Sequence, residues 1–362
     1  MNEKEQRILT LIRKNPFITQ QELAEQLKLS RSAVAGYISS LTKQGKIVGR
    51  AYVLPEPSRI VCIGGANVDR KAQSLSTVRF GTSNPVTVTQ SCGGVARNIA
   101  ENLGRLGESV SLLTVVGDDQ EGEWLLATTG AYVDMSQIAK QTNAHTGTYT
   151  AVLDEKGEMV IALADMAIYD TITTDFIQKR WPYISSASIV LLDTNFPSEV
   201  LTFVIERCRE EGIPLCVAPV SAPKMKKLPS DLRGVTWLIA NRDEALTLAG
   251  MEGERTEAAD DYILSLGVEH VVITCGAKGI TYKTQRGESG TIAAPSIDVV
   301  DVTGAGDAFV SGFLYGMNQG KSFADACRLG MSSSIIALQT KETVCSRLNE
   351  HVLNQTCQHY FS

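Results

Sequence analysis

The sequence predicts an α/β protein whose main part is a doubly wound, mostly parallel sheet with a small β lid, preceded by a helical N-terminal domain. Three observations predict it. Apolar, β-prone segments alternate with helical segments over residues 59–362, two stretches interrupt that alternation, and residues 1–54 differ from the rest in charge and periodicity. At 362 residues the chain is long enough for one small and one large domain.

Composition and charge exclude several classes of protein. An apolar content of 43% and a charged content of 20% are ordinary for a globular protein, and no apolar run reaches the ~18 residues of a membrane span. The polar residues 1–5 do not suggest a secretion signal. Eight cysteines without a C-x-x-C pair, and only four histidines, predict reduced thiols and no zinc. We therefore expect a cytoplasmic protein with no membrane partner.

The net charge of −6 hides an asymmetry between the two parts. Residues 1–54 carry a net charge of +5, whereas residues 55–362 carry −11. A small basic domain on a large acidic one is typical of a chain of which one end meets a polyanion.

The sequence of residues 1–54 predicts three helices. Apolar residues recur at helical spacing over residues 5–14, and Pro16 ends that helix. Thr19 and Glu22 have the spacing of a capping box before a second helix, and Ser30 can cap a third.

Two short β-prone pieces, residues 46–48 and 51–54, follow the third helix around Gly49-Arg50. Three helices followed by a β-hairpin are the plan of a winged helix-turn-helix. Residues 55–58, Pro-Glu-Pro-Ser, then form a short, fairly stiff linker to the second domain, residues 59–362.

Residues 20–24 and 30–34 make this part resemble the winged-helix domains of bacterial transcriptional regulators. The resemblance implies duplex DNA as a partner, with the third helix in the major groove and the wing on phosphates. The candidate DNA contacts are Arg31, Ser32, Lys43, Lys46 and Arg50. The alternative is a winged helix used for packing or dimerisation.

In the second part we predict six strands and five helices in alternation. The strands are residues 59–64, 109–116, 187–192, 214–220, 235–240 and 270–275, and the helices are residues 96–106, 121–128, 197–211, 242–249 and 258–266. Residues 70–92 and 145–165 interrupt them with turn signals and polar–apolar alternation. We expect these two stretches to form a small antiparallel sheet that covers the main one as a lid.

The most informative motif is Asp301-Val302-Thr303-Gly304-Ala305-Gly306-Asp307. It follows a β-branched run, residues 297–302, and precedes a helical stretch, so we expect a strand-to-helix turn. Free N–H groups and the positive end of a helix dipole would point outward there, which suits phosphate. Asp307 at the mouth of this turn could accept a proton from an attacking hydroxyl. The alternative is a glycine-rich turn with a capping aspartate.

Four further motifs precede it in order. They are Gly64–Asp69 after the first strand, Gly93–Ala100 opening a helix, Asn241–Glu244 after a later strand, and Thr274–Gly279 after the next. Each lies at the carboxyl end of a strand or the start of a helix, where α/β ligands collect. Together they resemble the ribokinase (PfkB) family of carbohydrate and nucleoside kinases over residues 59–350.

The resemblance implies a catalytic role for the last motif. Asp307 corresponds to the general base that deprotonates the substrate hydroxymethyl group, and the N–H groups of Gly304, Ala305 and Gly306 would stabilise the transferring phosphoryl. Asp301 and Thr303 lie where family members hold K⁺ through backbone carbonyls. The second part of that K⁺ loop should contain glycine, but residues 339–344 read Gln-Thr-Lys-Glu-Thr-Val, which weakens the expectation of K⁺.

It also implies where substrate, ATP and Mg²⁺ bind. The expected sugar-binding residues are Asn67, Asp69, Gly93, Gly94 and Asn98, and the expected nucleotide-binding residues are Asn241, Glu244, Thr274, Gly276 and Gly279. Glu244 would hold Mg²⁺ through water. Lys278 is a weaker candidate for the phosphates.

Within the family, residues 93–103, Pro219-Val220-Ser221 with Lys224, and residues 162–169 are most similar to pseudouridine kinases. The expected acceptor is thus the 5′-hydroxyl of a nucleoside, pseudouridine first and inosine or uridine next. Arg97 could pair with the lid carboxylate Asp165, contact a base, or form a structural ion pair.

Three other functions stay open at this point. They are a kinase of a free sugar such as ribose or of a sugar phosphate, a sugar-sensing transcriptional regulator with a kinase-like body, and, much less, a dinucleotide-dependent oxidoreductase, for which the G-x-G-x-x-G spacing is missing. A lid that pairs with its twin would make the protein a homodimer.

Overall fold

The computed structural model describes residues 3–16, 18–49, 58–252 and 257–361. Three helices begin the chain: α1 Glu3–Lys14, α2 Gln20–Leu27 and α3 Arg31–Lys43. The predicted caps are present, since Thr19 and Glu22 form a reciprocal capping box and the Ser30 hydroxyl accepts from the Ala33 N–H. Apolar side chains of all three helices form a separate core around Ile8, Leu23 and Leu41.

The prediction of a β piece at residues 46–48 was wrong, because these residues form no strand. The N–H groups of Lys46 and Ile47 bond the carbonyl of Leu41 at the end of α3, and Ile47 is buried in the helical core. The backbone thus completes the helix end instead of pairing with another strand. The other β-prone piece, residues 51–54, and Arg50 lie outside the described residues.

The second part alternates strands and helices as predicted. Its strands are β1 Ile60–Ile63, β2 Asn67–Ser74, β3 Val86–Gly93, β4 Val110–Leu113, β5 Val115–Gly117, β6 Ala139–Gln141, β7 Thr148–Leu153, β8 Met159–Asp165, β9 Ile189–Asp193, β10 Leu215–Ala218, β11 Trp237–Asn241, β12 His270–Thr274, β13 Ile280–Thr284 and β14 Ser289–Ile292. Its helices are α4 Val95–Arg105, α5 Gln120–Thr129, α6 Thr174–Ile184, α7 Ser198–Glu211, α8 Arg242–Ala249, α9 Glu257–Ser265, α10 Ala305–Asn318, α11 Phe323–Leu338 and α12 Glu350–Phe361.

The main sheet has eight strands in the order β14-β13-β12-β11-β10-β9-β1-β4. The six strands from β12 to β4 are parallel, whereas β13 pairs antiparallel with both β12 and β14. Two separate apolar cores cover its two faces, which is the doubly wound arrangement that the sequence predicts. The predicted strand 109–116 is split into β4 and β5, and β5 pairs with β6 instead of joining the main sheet.

The lid is a four-stranded sheet in the order β3-β2-β7-β8, built from the two stretches predicted for it. The expectation that it is antiparallel was wrong in one pairing, since β2 and β7 run parallel. Two antiparallel hairpins, β2–β3 and β7–β8, come from distant parts of the chain and meet side by side. A parallel pairing follows because the connection between them crosses through other elements instead of turning back directly.

The β-branched run at residues 297–302 is not a strand, which corrects the strand-to-helix turn expected before α10. More than half of the surface of each of Val299, Val300 and Val302 is exposed. The segment therefore lies on the protein surface and pairs with no strand of the described residues. The Val300 N–H instead bonds the Leu338 carbonyl at the end of α11. Within the described ranges, no helix is both long enough and apolar enough to cross a membrane.

Candidate active site

The first turn of α10 contains the backbone that the sequence predicts for anion binding. Gly304 begins the helix with φ at +79°, in the left-handed region that glycine adopts without strain. A Cβ at this position would lie 2.1 Å from the carbonyl oxygen of Thr343, so a side chain would also clash with the loop at residues 339–344. The N–H group of Gly306 belongs to the first turn, where helical N–H groups lack intrahelical partners, whereas the Ala305 N–H bonds the Val302 carbonyl over 3.3 Å.

Asp307 lies in this turn and is held by a residue of a different helix. Asn98 Nδ2, from the first turn of α4, donates to Asp307 Oδ2 over 2.8 Å. Burial raises the pKa of Asp307 to about 7, with the nearby carboxylates of Asp193, Asp69 and Glu244 acting in the same direction and the Asn98 bond opposing them. A carboxylate with such a pKa can accept a proton near neutral pH.

Arg97 fixes the orientation of Asn98. Its guanidinium donates to Asn98 Oδ1 over 3.0 Å, which leaves the amide nitrogen of Asn98 for Asp307. The same buried guanidinium pairs with Glu101 and donates to the Thr129 hydroxyl. The suggested pairing of Arg97 with Asp165 was wrong, because Arg97 is turned into the protein interior and Asp165 is exposed.

One cavity of about 170 Å³ brings five of the predicted residues together. Its lining includes Gly306 and Asp307 of α10, Asn241 and Glu244 at the start of α8, and Thr274 at the end of β12. Apolar side chains, among them Val95, Val220 and Val310, form the rest of the wall. The cavity thus connects the expected phosphoryl site with the expected nucleotide site.

Asn241 and Glu244 are fixed by a reciprocal capping box at the start of α8. The Asn241 N–H donates to Glu244 Oε2, and the Glu244 N–H donates to Asn241 Oδ1, both over 2.9 Å. Burial raises the pKa of Glu244 to about 7, with Asp243 adding to the shift. Such a carboxylate gains from a nearby cation, because a cation favours its ionised form.

These residues fit Mg²⁺ that is held mainly by water and phosphate. Only Oε2 of Glu244 takes part in the capping box, so Oε1 can accept from a metal-bound water. Among the described residues, no group of three or more His, Cys, Asp or Glu side chains is arranged as a metal cage. Mg²⁺ in such sites usually keeps several waters.

The turn after β12 has the backbone expected for phosphate contacts. Residues Gly276–Lys278 form a single 3₁₀ turn, which begins with the left-handed Gly276 and ends at Gly279. The N–H groups of Lys278 and Gly279 bond the carbonyls of Cys275 and Gly276 within the turn, over 3.1 and 3.0 Å, so a phosphate contact would come from the N–H groups at the start of the turn. The structure therefore places Thr274, Gly276 and Gly279 on one short segment beside the cavity.

The expected sugar-binding residues lie side by side where the lid joins the main domain. Asn67 pairs with Gly93 across β2 and β3, and Asn67 Nδ2 donates to Asp69 Oδ1 over 2.6 Å. A Cβ on Gly93 would lie 2.1 Å from Asp69 Oδ2, so glycine is needed there to admit the carboxylate. Gly94 follows as the N-cap of α4, four residues before Asn98.

Two buried residues that hold this region were missed by the sequence analysis. Asp193, at the end of β9, accepts from the N–H groups of Gly65 and Ala96 over 2.8 and 3.1 Å. The Tyr169 hydroxyl both donates to the Ala66 carbonyl and accepts from the Ala66 N–H. The position of Asp193 at the carboxyl end of a parallel strand was the available signal, whereas Tyr169 stood only within residues 162–169, similar to pseudouridine kinases, and had no role assigned to it.

Asp301 and Thr303 interact through their side chains. Asp301 Oδ1 accepts from the N–H and the hydroxyl of Thr303, and Asp301 Oδ2 pairs with Lys71 Nζ of β2 over 3.0 Å. Arg70, the preceding residue of β2, pairs with Glu121 over 2.7 Å. Both cations of this strand therefore face carboxylates of the protein.

In the N-terminal domain, the four described candidates for DNA contact are exposed. Arg31 and Ser32 begin α3, Lys43 ends it, and Lys46 follows in the next segment. The apolar face of α3 is buried in the helical core, so its polar face is free to meet a partner.

Comparison with known proteins gives two family matches. Residues 57–348 match the model of pfkB family carbohydrate kinases, and residues 1–48 match that of winged helix-turn-helix DNA-binding domains. The chain is 33% identical to the uncharacterized sugar kinase YeiI of Escherichia coli K12, over 93% of this chain and 94% of that protein. It is 34% identical to the pseudouridine kinase of the same organism, over 80% of this chain and 93% of that protein.

A solved structure of similar fold is a carbohydrate kinase from Agrobacterium tumefaciens. It is 28% identical and covers 83% of this chain and 97% of its own, with a TM-score of 0.73. The relatives thus match the second part over nearly their whole length, and YeiI matches the N-terminal part as well.

Proposed function

Because the chain belongs to the pfkB family of carbohydrate kinases, a phosphotransferase family with a hydroxyl acceptor, we propose that it phosphorylates the 5′-hydroxyl of a nucleoside, with pseudouridine as the first candidate. Kinases of this family use ATP and Mg²⁺. The observation that carries the proposal is Asp307, which accepts from Asn98 at the α10 N-terminus and lines one cavity with Asn241, Glu244 and Thr274. The 34% identity to a pseudouridine kinase supports the acceptor.

In the proposed reaction, the 5′-oxygen of the acceptor attacks the γ-phosphorus of ATP. The new O–P bond forms as the bond to the bridging oxygen breaks, the hydroxyl proton passes to Asp307, and ADP leaves. The N–H groups of residues 304–306 stabilise the charge on the transferring group, for which the Ala305 N–H must exchange its bond to the Val302 carbonyl for one to the phosphoryl. Asn98 keeps one oxygen of Asp307 in a fixed direction.

The remaining residues position the two substrates. Asn67 and Asp69 bind the sugar hydroxyls, since an amide and a carboxylate can together accept and donate. Glu244 would hold Mg²⁺ through water, and the ion would supply the positive charge that offsets the phosphates. The residues at 274–279 contact the ATP phosphates through the backbone, and the lid excludes water from the reacting groups.

We also propose a homodimer that forms through the lid. Its outer strands expose large apolar side chains, including Val88 of β3 and Met159, Ile161 and Leu163 of β8. Apolar patches of this kind often mark a protein interface. Light scattering of the purified protein measures the molecular mass, and a monomer at micromolar concentration would contradict the dimer.

The acceptor is tested with a panel of pseudouridine, uridine, inosine and ribose. ADP release is followed with each at equal concentration, and phosphorus NMR identifies the product. We expect the highest kcat/KM with pseudouridine and a 5′-phosphate monoester as the product. Higher kcat/KM with ribose would favour the free-sugar kinase instead.

The matched variant is Asp307→Asn, which keeps the shape of the side chain and removes the base. We expect turnover to fall by about a thousandfold or more while ATP binding, measured by calorimetry, stays nearly unchanged. If wild type turns over none of the four acceptors but binds one and changes its DNA binding in response, the sugar-sensing regulator is the better description.

A further inference from the structure

An ion pair joins the lid to the loop that leads into α10. Lys71, on lid strand β2, places its ammonium 3.0 Å from Asp301 Oδ2. The two residues are 230 positions apart in the chain, so this contact forms only when the lid lies against the main domain. Lys71 is two residues after Asp69 on the strand that carries the expected sugar-binding groups.

Asp301 is a fixed negative charge next to the anion-binding turn. Its oxygens accept the Thr303 N–H and hydroxyl and face the Lys71 ammonium, and donors and a cation of this kind favour the ionised carboxylate. Through Thr303 it shapes the residues that lead to Gly304, where the transferring phosphoryl is expected.

A negative charge at this position has an electrostatic cost. Two negative charges close together in a partly buried site repel each other by far more than they would in water. The loop thus needs the Asp301 carboxylate for its shape and a cation to cancel its charge.

We propose that Lys71 is the internal counter-charge of Asp301, delivered by the lid, and that its ammonium takes the place at the Asp301 carboxylate that a monovalent cation from solution would occupy in the kinase reaction. The proposal rests on the phosphoryl-transfer function proposed above. Lys71 is a positioning residue: it compensates the charge of Asp301 and acts on the phosphoryl site only through Asp301.

The residues present do not fit a monovalent cation bound to the Asp301 carboxylate. Oδ1 is occupied by two donors of Thr303, and Oδ2 already faces an ammonium. On the other side of the turn, the loop at residues 339–344 contains no glycine.

The position of Lys71 also links the lid to catalysis. The side chain is 42% exposed and that of Asp301 is 24% exposed, so solvent ions can reach the pair once the ammonium is removed. A small cation could then take the place of Lys71. An enzyme that lacks this lysine should gain a dependence on cations that the wild type does not have.

The experiment measures kcat/KM of the full chain with the acceptor preferred in the panel, in KCl, NaCl and choline chloride at equal ionic strength. The variants are Lys71→Met, which removes the charge at similar length, and Lys71→Arg, which keeps it. The control is Arg70→Met, which removes the neighbouring lid ion pair to Glu121 but leaves Asp301 paired. Circular dichroism verifies that each variant is folded.

We expect wild type and Arg70→Met to have the same kcat/KM in all three salts. In choline chloride Lys71→Met should lose about tenfold, consistent with one uncompensated charge, and KCl should restore most of it, whereas Lys71→Arg should stay near wild type. A wild type that requires K⁺ overturns the proposal. So does a Lys71→Met enzyme that keeps full activity in choline chloride, or an equal loss in Lys71→Arg or Arg70→Met.

The melting temperature does not depend on turnover, so it tests this proposal separately from the choice of acceptor. K⁺ should raise the melting temperature of Lys71→Met relative to choline and leave that of wild type unchanged. An inactive wild type in the panel would overturn the proposed acceptor but not this thermal result. A K⁺-specific rise in wild type would overturn the internal counter-charge.

Discussion

At the scale of single residues, the site depends on carboxylates whose surroundings push their pKa values apart. Burial raises the pKa of Asp307 to about 7, whereas the donors around Asp301 lower its pKa to about 2. Two aspartates only six positions apart can thus have different roles: Asp307, in the first turn of α10, as a proton acceptor, and Asp301, in the segment before it, as a permanent charge. Such a division between neighbouring carboxyl groups is a known way to run acid–base chemistry at neutral pH.

The first prediction concerns the pH dependence of the reaction. A base must be ionised to accept a proton, so kcat/KM should fall as pH decreases through the pKa of Asp307, about 7 in the free protein. The Asn98 bond lowers this pKa, so Asn98→Ala should move the acidic limb to higher pH. A kcat/KM profile that is flat between pH 5 and 8 would contradict the role of Asp307 as base.

The second prediction concerns stability. The pKa of Asp307 is 3.8 in its ordinary state and about 7 in the folded protein, so the folded chain favours the protonated form. The resulting stabilisation is complete below about pH 4 and is lost as pH rises to 7. Asp307→Asn is neutral throughout, so it should raise the melting temperature by a few degrees more at pH 8 than at pH 5. Calorimetry at the two pH values measures this difference, and an equal change at both would sink the idea.

At the scale of elements, helix starts carry most of the proposed chemistry. Helices α4, α8 and α10 all begin at the carboxyl-terminal edge of the main sheet, and each contributes a polar side chain of its first turn: Asn98, Glu244 and Asp307. The first turn offers N–H groups and a favourable dipole for anions, and the side chains there are fixed by a capping box in α8 and by the Asn98–Asp307 bond between α4 and α10. The same positions therefore stabilise the fold and face the reactants.

The third prediction separates these two roles at α8. Glutamine can accept the Asn241 N–H as glutamate does, so Glu244→Gln should keep the capping box and a melting temperature near wild type. The Mg²⁺ concentration for half-maximal activity should rise by about tenfold, because the ionised group is gone. Glu244→Ala should show the same metal effect and also lose about 1 kcal/mol of stability. An unchanged Mg²⁺ requirement in both variants would remove Glu244 from the metal site.

At the scale of the whole molecule, charge is divided between two parts with different expected partners. The basic N-terminal helices match winged DNA-binding domains, and the acidic kinase part matches carbohydrate kinases. We propose that the exposed residues of α3 bind duplex DNA, which makes the protein a kinase with a DNA-binding domain.

The fourth prediction tests this on the full chain. The logarithm of the DNA-binding constant should fall steeply and linearly with the logarithm of salt concentration. Arg31→Ala and Lys43→Ala should each weaken binding and reduce the slope by about one unit, as loss of one phosphate contact does. Lys14→Ala, at the exposed end of α1, is the control and should change little. Absence of binding at low salt would count against a DNA-binding role.

Much of the fold could be predicted from local patterns. The capping signals at Thr19 and Ser30 marked helix starts to the residue, and the buried parallel strands have uninterrupted apolar runs. The irregular segment at 297–302 was misjudged because β-branched residues favour a strand only where a neighbouring strand accepts the bonds. The parallel pairing of β2 and β7 depends on elements far apart in the chain.

For the site, the sequence identified which residues are involved but not how they are held. From the order of the motifs, we predicted that Asp307, Asn98 and Glu244 lie at one edge of the sheet. That Arg97 orients Asn98, that Asp193 fixes the turn at Gly65, and that Lys71 meets Asp301 are properties of side-chain packing. No local pattern contains that information, because the partners are set by the tertiary fold.

The contacts of the turn at residues 64–66 also set the order in which the parts of this protein can fold during synthesis. Its partners Tyr169 and Asp193 emerge more than 100 residues later, and the Asn98–Asp307 bond closes a span of 209 residues. Contacts of such long range form late, whereas the core of the first three helices is local. During synthesis the N-terminal domain can therefore fold early, and a nascent chain has no catalytic centre until α10 has left the exit tunnel.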